Sequence, residues 1–113
     1  MTTTTSRAVP YVDTEQFTTR VEQAPGLVLV DFTADWCPPC RRLAPDIDAL
    51  ANEYRESLTV VKVDADEQPG LTARFGVRGL PTLMFFRDGQ VVDRIVGAAP
   101  PAQLRAKVDE FRR

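Results

Sequence analysis

The chain reads as an α/β protein: a mixed central β-sheet with helices on both faces. Three observations lead there. Residues 27–34 form a nearly unbroken apolar run, the pattern of a strand covered on both sides. Residues 37–54 then carry apolar side chains at helical spacing and a second apolar run occupies 58–63, so the three segments make a βαβ unit with parallel strands. Further on, residues 83–86 and 91–96 flank Arg87-Asp88-Gly89-Gln90, in which Asp88-Gly89 is a strong signal for a tight antiparallel hairpin.

From the N-terminus, residues 1–8 are polar and expected to form a flexible tail, with the folded domain spanning 9–113. Val9-Pro10-Tyr11-Val12 is read as a short first strand. Asp13 is placed to cap a helix running to about Gln23, with Gln16 at the reciprocal capping-box position and Phe17, Val21 and Ala24 on one face; Pro25-Gly26 ends it. In the next helix Leu43, Ile47, Leu50, Ala51 and Tyr54 recur at three- and four-residue steps, and Pro45 inside it is expected to cause a kink. Residues 64–70 are polar and read as a loop, followed by a short helix around 71–75. After the hairpin, Pro100-Pro101 opens a C-terminal helix with Leu104, Val108 and Phe111 inward. The element order is thus βαβαβαββα.

At 113 residues the chain makes one domain, large enough to bury roughly two-thirds of its unfolded surface without a covalent staple. A net charge of −2 supplies no clustered positive field, so neither nucleic acid nor an anionic membrane is expected as a partner. The chain has no histidine, which removes the commonest general base and the commonest zinc ligand. No stretch approaches the ~20 apolar residues of a membrane span and the polar N-terminus lacks the apolar core of a secretion signal, so a cytoplasmic location is expected. That compartment keeps most thiols reduced; a close cysteine pair there points to catalysis, redox sensing or metal binding before it points to a structural staple.

Both cysteines of the chain lie in Trp36-Cys37-Pro38-Pro39-Cys40, where the 27–34 strand hands over to the helix. This is the C-terminal end of a central parallel strand, the place where open α/β sheets build their sites. Two residues between the sulfurs put them within one helical turn, and the first lies at a helix N-terminus, where free N–H groups favour a thiolate. A disulfide across so short a loop removes little unfolded-chain entropy, so a chemical role gains weight. The competing chemistry is a metal half-site, two cysteines from each of two chains. Two prolines inside the loop and an acid behind it, Asp31, fit thiol exchange better. Asp31 violates the apolar run, and a carboxylate in a buried strand is costly unless paired or protonated, so its pKa should rise.

Val30-Asp31-Phe32, Ala34-Asp35-Trp36-Cys37, Pro39-Cys40, Pro45, Lys62-Val63-Asp64, Pro69-Gly70, Val77-Arg78-Gly79-Leu80-Pro81-Thr82, Asp88-Gly89 and Val96-Gly97-Ala98 fall in an order and spacing that resemble the thioredoxin family over essentially the whole chain after the tail. The Cys-x-x-Cys beside a βαβ pattern is itself a signature drawn from that family and adds no separate weight. Pro38 stands where the family usually has glycine, and Thr33 where it often has tryptophan. Pro-Pro between the cysteines is also frequent in membrane-tethered or periplasmic thioredoxin-like reductases, which usually carry a signal or anchor and an inserted segment, neither of which is read in this sequence.

The resemblance implies a thioredoxin fold and a monomeric thiol–disulfide oxidoreductase that reduces oxidised protein substrates and carries electrons from thioredoxin reductase. It implies no bound cofactor or metal: the redox-active Cys37–Cys40 disulfide is the centre, and NADPH and flavin act only through the partner reductase. Cys37 becomes the attacking thiolate, and Cys40, less exposed, resolves the mixed disulfide. Asp31 accepts the Cys40 proton through water, with Lys62 near it; the plainer reading has Asp31 capping a turn at the sheet end. A cis Leu80–Pro81 bond offers the Leu80 backbone to an extended substrate segment. Trp36, Pro38, Pro39, Ala65, Gly79, Leu80, Pro81, Val96, Gly97 and Ala98 form the substrate-binding rim, although each alone is also explained by packing. Arg41 and Arg42 are read as solvated charges. Compared with glycine, Pro38 removes an N–H at the helix start and stiffens the loop. Two alternatives stand beside this reading, a dedicated reductase or oxidase for one partner and a redox-inert binding protein; retention of Cys37, Cys40, Asp31, Lys62 and Pro81 together argues against the second.

Overall fold

A computed structural model of the chain describes residues 9–112, so the tail expected at 1–8 lies outside the described residues. The first helix, α1, spans Thr14–Phe17 and continues in a wider π-helical turn, Thr18–Glu22. Then come β1 Leu27–Thr33, α2 Pro38–Glu53, β2 Leu58–Asp64, α3 Pro69–Arg74, β3 Thr82–Arg87, β4 Gln90–Val96 and α4 Pro101–Phe111. Among the described residues the sheet has four strands in the order β2-β1-β3-β4. Strand β1 runs parallel to β2 and antiparallel to β3, and β3 pairs antiparallel with β4. The sheet is mixed, as the sequence predicts.

The first strand expected at Val9–Val12 is instead a single bridge, Tyr11 to Lys62. Two bonds hold it: Val12 N–H donates to the Lys62 carbonyl at 2.9 Å and Lys62 N–H donates to the Pro10 carbonyl at 2.8 Å. Lengthening this ladder toward the N-terminus needs an N–H from Pro10, which has none. On the other side the chain turns at once into α1, where Asp13 and Gln16 form the expected capping box. Helix α3 begins at Pro69, two residues before the expected start, because proline fits the first helical position, where its missing N–H costs nothing. Helix α2 runs through Pro45 without interruption.

Alternation along β1 sorts the core into two layers. Leu27 and Leu29 join Leu58 and Val60 of β2, Leu83 and Phe85 of β3, Leu43, Ile47 and Leu50 of α2 and Leu104 and Val108 of α4. Val28, Val30 and Phe32 join Val61, Val63, Met84 and Phe86 with Phe17, Val21 and Leu71 on the opposite face. Helices therefore cover both faces. Around Phe75 the second layer is aromatic, with ring centroids 5.4 Å from Phe17 and 5.6 Å from Phe86. By the same alternation Asp31 projects with Leu27 and Leu29 toward the α2 and α4 layer, below the start of α2.

Candidate functional site

Strand β1 ends at Thr33, and four residues later Cys37 caps α2 with an extended backbone. Cys37 and Cys40 are joined by a disulfide, with Cα atoms 5.2 Å apart, inside the usual range. The Cys37 sulfur accepts the Cys40 backbone N–H at 3.3 Å. Pro38 and Pro39 occupy the two helical positions before Cys40 and have no N–H, so Cys40 supplies the first donor of the helix to that sulfur. Helix α2 thus presents its positive end to Cys37, as the spacing predicts, through the single Cys40 donor.

One expectation is corrected. Cys40 is not the less exposed sulfur-bearing residue: Cys37 and Cys40 are 3% and 4% exposed. The two pack with Ala34 and Leu80 into a small apolar cluster, and that cover shields Cys37 as fully as its own helix shields Cys40. What separates them is direction. Cys37, and not Cys40, lines a cleft of about 410 Å³ together with Trp36, Pro38, Pro39, Ala65, Asp66, Thr72, Val77, Arg78 and Leu80. Its sulfur lies 3.7 Å from the Leu80 carbonyl oxygen, a distance at which the thiol form can donate to that oxygen.

The Leu80–Pro81 bond is cis, and Pro81 is buried. Thr82 fixes the approach by donating its hydroxyl to the Gly79 carbonyl at 2.6 Å. Gly97 N–H donates to the Pro81 carbonyl at 2.7 Å, bringing the end of β4 beside this loop. A side chain on Gly79 would meet the Val96 methyl at 3.4 Å, so the two expected rim residues are neighbours. Trp36 and Val96 are each 64% exposed, large apolar surfaces left open to solvent. Ala98 is exposed beyond Gly97. Of the expected rim, Trp36, Pro38, Pro39, Ala65 and Leu80 share the cleft with Cys37, while Gly79, Val96, Gly97 and Ala98 form the adjoining edge.

Asp31 is 3% exposed, and its Oδ1 is buried with no hydrogen-bond partner. Burial pushes its carboxyl up to about 6, the Lys62 ammonium pulls against that, and the Asp48 carboxylate on α2 adds to it. Lys62 stands opposite Asp31 in the β1–β2 register. It is not within ion-pair distance and acts on the carboxylate through space. Arg41 donates to the Asp35 carbonyl at 2.8 Å, which ties it to the loop before the helix, and Arg42 is exposed. Among the described residues no three metal-ligating side chains come together.

Sequence reading did not single out Asp66. It accepts the Trp36 indole N–H at 2.6 Å and so holds the largest exposed side chain at the cleft mouth. Asp64 organises this loop by accepting the Asp66 and Glu67 N–H groups at 2.9 and 3.1 Å. In sequence Asp66 is only one residue of a polar loop, and its partner 30 residues away is supplied by folding.

The family model for thioredoxin matches residues 8–110. Similar proteins include Thioredoxin 1 of Synechococcus elongatus, 49% identical over 83 residues, 74% of this chain and 78% of that protein. The thioredoxin of Synechocystis sp. is 40% identical over 104 residues, 92% of this chain and 97% of that protein. The chloroplastic M-type thioredoxin of Pisum sativum is 45% identical over 84 residues, 74% of this chain and 49% of that protein. A match along nearly the whole chain, meeting a disulfide seated at the start of α2, makes this chain a member of the thioredoxin family and a thiol–disulfide oxidoreductase.

Proposed function

We propose that residues 9–113 act as one monomeric domain that reduces disulfides in varied protein substrates and is returned to the dithiol state by an NADPH-dependent thioredoxin reductase in the cytoplasm. The observation that carries this reading is the position of the Cys37 sulfur, in the wall of an open cleft and against the Leu80 carbonyl. An extended substrate segment bonding to the Leu80 backbone brings its own disulfide to that sulfur. Trp36, Pro38, Pro39, Ala65, Gly79, Pro81, Val96, Gly97 and Ala98 supply an apolar rim without charge preference, which suits many partners.

In the dithiol state the Cys37 thiolate attacks one substrate sulfur. A Cys37–substrate disulfide forms, the substrate disulfide breaks, and one substrate thiolate leaves. Cys40 then gives its proton to the Asp31 carboxylate through water and attacks the Cys37 sulfur. The mixed disulfide breaks, the second substrate thiolate leaves and takes up a proton, and Cys37–Cys40 is oxidised. Two electrons have passed to the substrate. Lys62 supports the charged form of Asp31 and keeps it a usable base near neutral pH.

The test is NADPH consumption in a mixture of the chain, a thioredoxin reductase and an unrelated protein disulfide. Steady consumption that stops on Cys37→Ser is expected. Reduction of the substrate by pre-reduced chain without recycling by the reductase would instead mark a carrier dedicated to another partner.

A further inference from the structure

Thr82 opens β3 and is buried, with Phe32 of β1 opposite it on one side and Val96 of β4 on the other. Strand β1 also leads into the loop that carries Cys37, so Thr82 is a fixed point of the sheet that positions the disulfide. From there its hydroxyl reaches back three residues and donates to the Gly79 carbonyl at 2.6 Å. A second donor, the Gly97 N–H, holds the Pro81 carbonyl at 2.7 Å. Of the carbonyls of Gly79, Leu80 and Pro81, the outer two are thus held by the protein, and the middle one lies 3.7 Å from the Cys37 sulfur.

The bond to Gly79 decides where a neighbouring N–H points. The Gly79 carbonyl and the Leu80 N–H belong to one planar trans peptide unit, so they point in opposite directions. With the carbonyl turned in to Thr82, the Leu80 N–H is turned away from it. Leu80 precedes a proline, which restricts it to extended backbone, and there a residue's N–H and its own carbonyl leave on the same side. The Leu80 carbonyl faces Cys37, so the N–H emerges on that side too. A donor and an acceptor side by side are what an extended segment needs for strand addition. Gly79 has no side chain to restrict its backbone, so without the hydroxyl this peptide is free to turn.

We propose that Thr82 is a positioning residue for substrate docking: its hydroxyl locks the Gly79–Leu80 peptide so that the Leu80 N–H and carbonyl both face an extended segment arriving beside Cys37. The inference rests on the reading that substrates bond to the Leu80 backbone. Thr82 does not line the cleft and acts only through that peptide.

The experiment compares Thr82→Val, which keeps the shape and suits a buried strand but removes the donor, with Thr82→Ser, which keeps the donor. The readouts are kcat and KM for a protein disulfide with a small dithiol as reductant, the rate of the pre-reduced chain with a small disulfide reagent, and the orientation of the Leu80 N–H from residual dipolar couplings of the oxidised full chain. In Thr82→Val, KM is expected to rise about fivefold with kcat little changed, the size of one lost hydrogen bond. The small reagent should react as with the parent, and the Leu80 N–H should reorient. Thr82→Ser should match the parent in every readout. An unmoved KM or an unmoved Leu80 N–H in Thr82→Val overturns the proposal, as does an equal loss toward the small reagent or a Thr82→Ser variant that behaves like Thr82→Val. The docking reading has its own check: in a mixed disulfide of Cys40→Ser with a substrate peptide, the Leu80 N–H is expected to gain protection from hydrogen exchange. No gain there overturns that reading and the proposal with it; a gain with an unmoved KM in Thr82→Val overturns the proposal alone.

Discussion

At the scale of single residues, Asp31 sets the chemistry and carries a cost in stability. Its folded pKa is about 6 against an ordinary value of 3.8, so the folded chain holds this proton more tightly than the unfolded chain does. The charged form is the one the fold disfavours. Stability is therefore unaffected by this group below the unfolded value, falls as pH rises between the two values, and stays reduced above the higher one. A difference of roughly two units corresponds to about 3 kcal/mol. Asp31→Asn should raise stability by up to about 3 kcal/mol at about pH 7 and hardly at all at about pH 4, while slowing turnover near neutrality. Denaturant unfolding at the two pH values checks this, and an equal gain at both would mean the effect is not ionisation. The burial that raises this pKa was legible from one acid in an apolar run, and Lys62 beside it was expected from the family resemblance; the influence of Asp48 was not legible, because it comes from another element.

Among the elements, the β3–β4 hairpin shows how a local signal acquires a tertiary constraint. Asp88 and Gly89 both have positive φ, 50° and 81°, as the tight turn requires. The Asp88 side chain also accepts the Gly26 N–H at 2.8 Å, and the Asp88 N–H donates to the Gly26 carbonyl at 2.9 Å, which locks the turn to the loop before β1. A side chain on Gly89 would run into the Glu22 carbonyl oxygen at the end of the π-helical turn. Gly89→Ala should therefore lose about 2 kcal/mol or more, from positive φ and from this clash. Gly70, at the second position of α3 with open space where its Cβ would stand, is the control. Gly70→Ala should change little or gain a few tenths of a kcal/mol from helix propensity. Thermal or denaturant midpoints of the two variants separate the effects. The sequence predicts the turn from Asp88-Gly89; that Glu22 closes over it depends on the packing of the α1 segment against the hairpin.

Over the whole molecule, the exposed apolar edge formed by Trp36 and Val96 flanks the cleft that Cys37 lines. If that edge receives protein substrates, Val96→Glu should raise KM for a protein disulfide by about tenfold, with kcat little changed. Val96 is 64% exposed, so unfolding stability should move by no more than about 0.5 kcal/mol. A small dithiol-specific disulfide reagent, too small to span the edge, should react with the variant as with the parent. Equal loss toward both would place the effect at the sulfur and not at the surface.

The sequence by itself determined the order of the elements after Asp13, the face each β1 residue takes, the redox pair at the head of α2 and the acid behind it. These are properties of periodicity and of neighbours in the chain, and each short window carries its own signal. Tertiary structure decided what windows cannot hold. Val9–Val12 became one bridge, because Pro10 has no N–H for the next rung and the chain turns at Asp13. Cys37 came out as buried as Cys40, because Leu80, 43 residues on, closes over it. Trp36 was fixed by Asp66, and Lys62 came to lie under Tyr11, through pairings between segments distant in sequence. The spacing of side chains along one element says which way they point, and only the packing of several elements says what they meet.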